Sequence, residues 1–181
     1  MQVTETKLKG CFIIEPTIFG DQRGYFFESF NKEQFKKKKG IEIEFIQDNE
    51  AFSNKGILRG LHFQKEEFAQ AKLVRVVRGK VLDVVVDVRP NSKTYGETVS
   101  CILSEENKKQ LFVPRGFAHG YSVLEDNTIF IYKCDNFYQA KSEGGIIYND
   151  KTLNIDWMLS EDEIVVSDKD KVLKSFNELE I

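Results

Sequence analysis

The 181 residues include only two histidines, His62 in "GILRGLHFQ" (Gly56 to Gln64) and His119 in "PRGFAHG". A buried imidazole that meets a carboxylate can trade a proton near neutral pH, which is what a general base must do. Each ring is also readable as an inward-facing strand residue satisfied by a buried hydrogen bond. Arg59 sits among Ile57, Leu58 and Leu61, an odd setting for a solvated charge, while Arg23 and Lys72 stand beside strand or turn signals. A guanidinium grips phosphate oxygens through two parallel N–H bonds and an ammonium supplies a mobile point charge, so the trio suits one phosphorylated ligand. A surface charge is the plain alternative for any one of them. Together with Tyr132, Tyr138 and several carboxylates, this inventory fits proton transfer better than hydrolysis.

Other chemistries lack their signatures. The chain has no GxGxxG, no GxxxxGK[ST] and no GxSxG, which sets aside the usual dinucleotide turn, the P-loop and the serine elbow. It has neither HxH nor HExxH, so no metal is expected. Cys11, Cys101 and Cys134 are odd in number without a CxxC spacing, which predicts buried free thiols in a reducing, cytoplasmic compartment. A net charge of -3 argues against a nucleic-acid partner, and "KKKKG", Lys36 to Gly40, reads as a solvated helix end followed by a turn. "MQVTETKLKG" lacks the apolar core of a secretion signal and no segment has 18 consecutive apolar residues, so no membrane association is expected.

A scaffold must hold these groups. The length favours one domain over residues 1–181, and 41% hydrophobic with 30% charged residues is a globular balance. Fifteen Phe and six Tyr suit a broad sheet interior or a lined pocket. "CFIIEPTIFGDQRGYFFESF" holds two apolar runs around a Gly/Asp turn, and "NKEQFKKKKG" predicts a short helix capped by Asn31 and stopped by Gly40. "IEIEFIQDNEAFS" begins with alternation, predicting a strand with Ile41, Ile43 and Phe45 on one face. "AKLVRVVRGKVLDVVVDVRP" reads as a β-rich run folded over "RGK" and ended by Pro90. From Gly96 to Tyr138, short apolar runs alternate with turn residues, the rhythm of an all-β antiparallel sandwich or barrel whose edges need closure or a partner strand. After Asp150 the pattern loosens, and "KVLKSFNELEI" reads as a short helix or a tail.

With these residues collected, the chain resembles the dTDP-4-dehydrorhamnose 3,5-epimerase family over essentially its whole length. The marks are "DQRGYFFESF", "FIQDNEAFS", "ILRGLHFQ", "KLVRVVRGKVLDVVVDVR", "LSEENKKQLFVPRGFAHGY", "YKCDNFY" and "SEGGIIYND", in the family's order. The resemblance implies a cupin-like jelly roll with a few short helices, a homodimer whose N-terminal strands cross to the partner, and no cofactor. It implies inversion at C3 and C5 of a dTDP-4-keto-6-deoxyhexose. A C4 ketone acidifies both neighbouring C–H bonds, so a base on one face and an acid on the other suffice.

Carried across by motif, His62 resembles the base, Asp170 its orienting carboxylate, Tyr132 the opposing acid and Lys72 the cation beside the enolate oxygen. Arg23 and Arg59 resemble diphosphate ligands, and His119 and Asn49 sugar-pocket contacts. Glu28, Gln47 and Tyr138 resemble nucleotide-side residues, with Phe19 and Phe26 offering aromatic surface. The chain departs from many relatives at Tyr148, at Met158 and in a lysine-rich tail after Asp170, which bears on substrate fit and chain-end packing. A 3- or 5-epimerase or a 3,4-ketoisomerase would share much of this pocket, and a silent sugar-nucleotide binding protein is the reading from another class.

Overall fold

The structure is a computed structural model that describes residues 1–180. Its strands, in chain order, are β1 (Gln2–Glu5), β2 (Phe12–Glu15), β3 (Phe19–Asp21), β4 (Gly24–Phe26), β5 (Gln47–Ser53), β6 (Leu58–Gln64), β7 (Lys72–Arg78), β8 (Lys80–Asp87), β9 (Thr98–Ser104), β10 (Gln110–Val113), β11 (Phe117–Val123), β12 (Thr128–Cys134) and β13 (Glu143–Gly145). Two short helices, α1 (Lys32–Lys39) and α2 (Asp168–Lys171), complete the regular elements with a few 3-10 turns. One sheet runs β1-β2-β10-β7-β12-β5 and the other β13-β6-β11-β8-β9, with β3 and β4 forming a separate hairpin. This is the all-β antiparallel sandwich that the apolar rhythm predicts, in the jelly-roll form that the family resemblance implies.

Strand β8 shows why the sandwich forms. Its side chains alternate, so Val81 and Val85 enter the core between the sheets while Leu82, Val84 and Val86 enter a second core behind the five-stranded sheet. Burial on both faces explains its near-continuous valine run. The second core is covered by the segment after β13 through Ile146, Trp157 and Phe176. Ser122 Oγ donates to the Trp157 carbonyl and Trp157 Nε1 to the Tyr148 carbonyl, both at 2.7 Å, so the cover is hydrogen-bonded as well as packed. Phe35 of α1 packs with Phe12, Leu73 and Phe112 behind the six-stranded sheet. Asn31 caps α1 by accepting the Gln34 N–H at 3.1 Å, and Gly40 ends it at φ 66°, as the sequence predicts.

Three local readings need correction. Residues 41–46 are not a strand: their alternation survives as burial of Ile43 between exposed Glu42 and Glu44, but Ile43 packs in the cluster around α1 and sheet pairing begins only at Gln47. The run across "RGK" is not a hairpin. At Gly79, φ +79°, the chain leaves one sheet for the other, so β7 pairs with β10 and β12 while β8 pairs with β9 and β11. The terminal segment is a strap, docked on the five-stranded sheet by bridges Ile57–Val165 and Ile146–Lys174 and carrying only α2 and a 3-10 turn at Phe176–Glu178.

At the end of β8, Asp87 is fully buried and accepts from Arg89, Ser92 and Thr94 at 2.6 to 2.7 Å. Burial alone would raise its carboxyl; these donors instead hold it down at about 2. Cys11 and Cys134 are buried and Cys101 half-buried, all three free, as expected. No helix among the described residues is long and apolar enough to cross a membrane.

Candidate active site

Arg59 and His62 lie three residues apart on β6, a spacing that places side chains on opposite faces of a regular strand. The pairing with β11 resolves this. His119 faces His62 and Tyr121 faces Arg59, two steps on β11 against three on β6, so the extra residue forms a bulge that turns both polar side chains toward the interior of the sandwich. Gly60 makes the bulge possible: its φ is +120°, and a Cβ there would sit 2.5 Å from the Gly120 Cα. Leu58, Leu61 and Phe63 point the other way, into the second core. The apolar neighbours of His62 thus anchor the strand that presents it.

His62 Nε2 lies 2.7 Å from Asp170 Oδ1. An ionised carboxylate only accepts, so Nε2 donates, and in the neutral ring Nδ1 is the nitrogen with the free lone pair. Burial pushes the Asp170 carboxyl up, but the hydrogen bond and charge of His62, the Gly60 N–H and Ser167 together hold it below the usual carboxylate range. Ser167 caps α2 by accepting the Asp170 N–H at 3.1 Å. A second pair lies deeper: His119 Nε2 is 2.9 Å from both oxygens of Asp83, which is fully buried in β8. Burial raises the Asp83 carboxyl, and His119 and Lys72 pull it part of the way back.

The opposite wall comes from the six-stranded sheet. Lys72 of β7 and Tyr132 of β12 project into the same cavity, with Lys72 Nζ 6.0 Å from the centre of the Tyr132 ring. Desolvation lowers the Lys72 ammonium and raises the Tyr132 phenol, so burial favours the neutral form of both. The cavity, about 470 Å³, brings together His62, Asp170, Tyr132, Lys72, Arg59 and His119. An adjoining cavity of about 300 Å³ shares His62, Lys72 and Tyr132 and adds Gln47, Asn49, Tyr138 and Glu143. Gln47 Nε2 donates to Asn49 Oδ1 at 3.0 Å. Glu143 Oε2 accepts from Tyr138 and from Lys169, each at 2.5 Å, and closes the rim between β13 and α2.

Four expected residues stand apart. Phe19, Arg23 and Phe26 lie on the β3–β4 hairpin, where Phe19 and Phe26 are 63% and 66% exposed and Arg23 bonds Asp21. Glu28 accepts from Asn31 beside α1. No group of three or more His, Cys, Asp or Glu side chains suited to a metal ion occurs among the described residues.

An imidazole on one wall facing a phenol and an amine on the other forms an arrangement able to enolise a carbonyl compound and return the proton to the opposite face. The family model of dTDP-4-dehydrorhamnose 3,5-epimerase matches residues 5–178. The chain belongs to that family. The dTDP-4-dehydrorhamnose 3,5-epimerase of Shigella flexneri is 50% identical over 170 residues, covering 94% of this chain and 93% of its own. A crystal structure of the enzyme of that name from Elizabethkingia anophelis aligns with a TM-score of 0.95 at 49% identity, over 98% of this chain and 97% of the other. A Legionella pneumophila 3,5-epimerase solved in complex with dTDP-4-keto-L-rhamnose aligns at 0.94 and 45% identity, over 99% of this chain and 94% of the other.

Within this epimerase-family site, the sequence reading misses Asp83, Tyr121, Phe130, Glu143, Ser167 and Lys169. Asp83 does carry a signal, as an acid set inside the apolar run "VLDVVV". Glu143 and Lys169 carry none, since each looks like an ordinary surface charge until β13 and α2 meet.

Proposed function

We propose that this chain inverts C3 and C5 of dTDP-4-dehydro-6-deoxy-D-glucose, giving dTDP-4-dehydro-L-rhamnose. The observation that carries the reading is the placement of the His62–Asp170 pair and Tyr132 on opposite walls of one cavity with Lys72 alongside. His62 Nδ1 takes the proton next to the C4 ketone, and the C–H electron pair becomes the enolate. Asp170 stabilises the imidazolium so formed. Lys72 holds the charge that grows on O4, where it contributes more in the transition state than in the ground state. Tyr132 then delivers a proton from the other face, and once His62 has given its proton to solvent and Tyr132 has regained one, the same sequence repeats at the second carbon. The ketone itself supplies the acidity, so the scheme calls for no cofactor.

In this reading Arg59 and Arg23 bind the diphosphate, His119 and Asn49 the sugar, and Gln47, Glu28 and Tyr138 the nucleotide side, with Phe19 and Phe26 against the base. The exposed hairpin supports a homodimer of single-domain chains in which Phe19, Arg23, Phe26 and Glu28 reach the cavity of the partner. The ligand of the Legionella relative supports the choice of substrate. The test is to incubate the protein with a panel of 4-keto-6-deoxyhexose nucleotides in deuterated water and follow C3 and C5 by NMR. Deuterium at both carbons with inverted product is expected. Exchange and inversion at one carbon indicate a single-site epimerase, a displaced carbonyl indicates a ketoisomerase, and binding without exchange indicates a silent binding protein.

A further inference from the structure

Tyr121 is a hydroxyl the proposed chemistry does not use. It is 5% exposed, lines the same cavity as Arg59 and Tyr132, and is stacked on Phe130 at 4.0 Å between centroids. Its backbone is paired with Arg59 across β11 and β6, and side chains opposite each other in a sheet share a face. Its oxygen has no hydrogen-bond partner among the described residues. Among the described residues the one sealed side-chain polar atom without a partner is Gln110 Oε1, so the Tyr121 oxygen opens to the cavity. A ring fixed by stacking, carrying a free donor beside an arginine, is built to meet an anionic oxygen. Burial keeps the phenol protonated and hence a donor.

We propose that Tyr121 is a substrate-binding residue whose hydroxyl donates to the sugar-proximal phosphate of the nucleotide sugar, next to Arg59. This rests on the function proposed above. The sugar-proximal phosphate is the end of the diphosphate that must lie nearest the reacting ring, and Tyr121 lines one cavity with both Arg59 and Tyr132.

The experiment is titration of dTDP by calorimetry into wild type, Tyr121→Phe, Arg59→Lys and the double variant, alongside steady-state kinetics. Phenylalanine keeps the stack on Phe130, so the melting temperature should hold. The expected result is a dTDP affinity about tenfold lower for Tyr121→Phe, a KM raised by a like factor, and kcat and the saturated rate of deuterium exchange unchanged. If both residues hold one phosphate, the loss in the double variant falls short of the product of the single losses. A wild type that binds dTDP and a Tyr121→Phe protein that binds it equally well overturn this assignment alone. A wild type that ignores dTDP overturns the proposed function with it. Loss of kcat at unchanged dTDP affinity also overturns it, since the hydroxyl would then act in the chemical step.

Discussion

His62 and Asp170 are 108 residues apart in sequence and 2.7 Å apart in space, and the carboxylate has a second tie, the Gly60 N–H at 3.3 Å, to the strand that carries the histidine. The carboxylate therefore fixes both the tautomer of the ring and its aim. Asp170→Asn should keep the fold and dTDP binding while lowering kcat by about 10²- to 10⁴-fold, a range spanning loss of a general base. Exchange of the C3 and C5 hydrogens with deuterated water measures this directly. Equal exchange rates in variant and wild type would remove Asp170 from the mechanism.

Tyr132→Phe should separate the two halves of the reaction. His62 still removes protons, and can return them to the original face, so deuterium should enter C3 and C5 faster than inverted product appears. Efficient inversion without the hydroxyl would assign the proton to water or another residue.

In the proposed mechanism Lys72→Met removes the charge beside the enolate but keeps a side chain of similar length. A drop in kcat of about 10²- to 10³-fold with little change in dTDP affinity is expected, because the lost interaction belongs to the transition state. Rapid-quench measurement of the first turnover checks that proton abstraction, rather than product release, has slowed.

Mixing inactive variants tests the exchanged hairpin. An Arg23→Ala dimer and a His62→Asn dimer are each expected to be inactive or severely impaired. If Arg23 serves the partner's cavity, a mixed dimer contains one site with both residues intact, and equal amounts with free exchange of subunits restore about a quarter of wild-type activity. If Arg23 serves its own cavity, mixing restores nothing.

Asp87 gives a stability prediction with a defined sign. Its carboxyl sits at about 2 in the folded chain against 3.8 unfolded, so its contribution is full above the unfolded value and is lost as pH falls through the folded one. Asp87→Asn should cost roughly 1–2 kcal/mol at neutral pH, the lower end allowing for solvent screening. Urea melts at pH 7 and near pH 2 should show the gap between variant and wild type closing at the acid end.

The fold was legible because alternation and turn residues report side-chain direction locally: β8, β11 and the capped helix α1 all lie where their patterns say. Residues 41–46 misled because alternating burial needs only an apolar surface to lie on, and the surface around α1 serves as well as a neighbouring strand. "RGK" misled because a glycine turn specifies a change of direction, not which sheet receives the chain. At the site, the proposed proton-transfer residues were carried by motif resemblance, while Glu143, Lys169 and Tyr121 became visible only when elements distant in sequence were brought together. Nothing local distinguishes a tyrosine that fills a core from one whose oxygen opens to a cavity.

The bulge on β6 sets how this gene can vary. Because Arg59 and His62 share a face through one surplus residue, deleting Gly60 would leave the pair two apart and still on one face of a straight strand, but would take away the N–H that donates to Asp170. Such a deletion would keep Leu58 and Leu61 facing the second core and would change the aim of the two polar side chains rather than turn either one over. Mutational libraries here should therefore tolerate many side-chain exchanges outside the ligand contacts, and loss of Gly60 should show as a loosened tie between β6 and Asp170 rather than as an inverted strand.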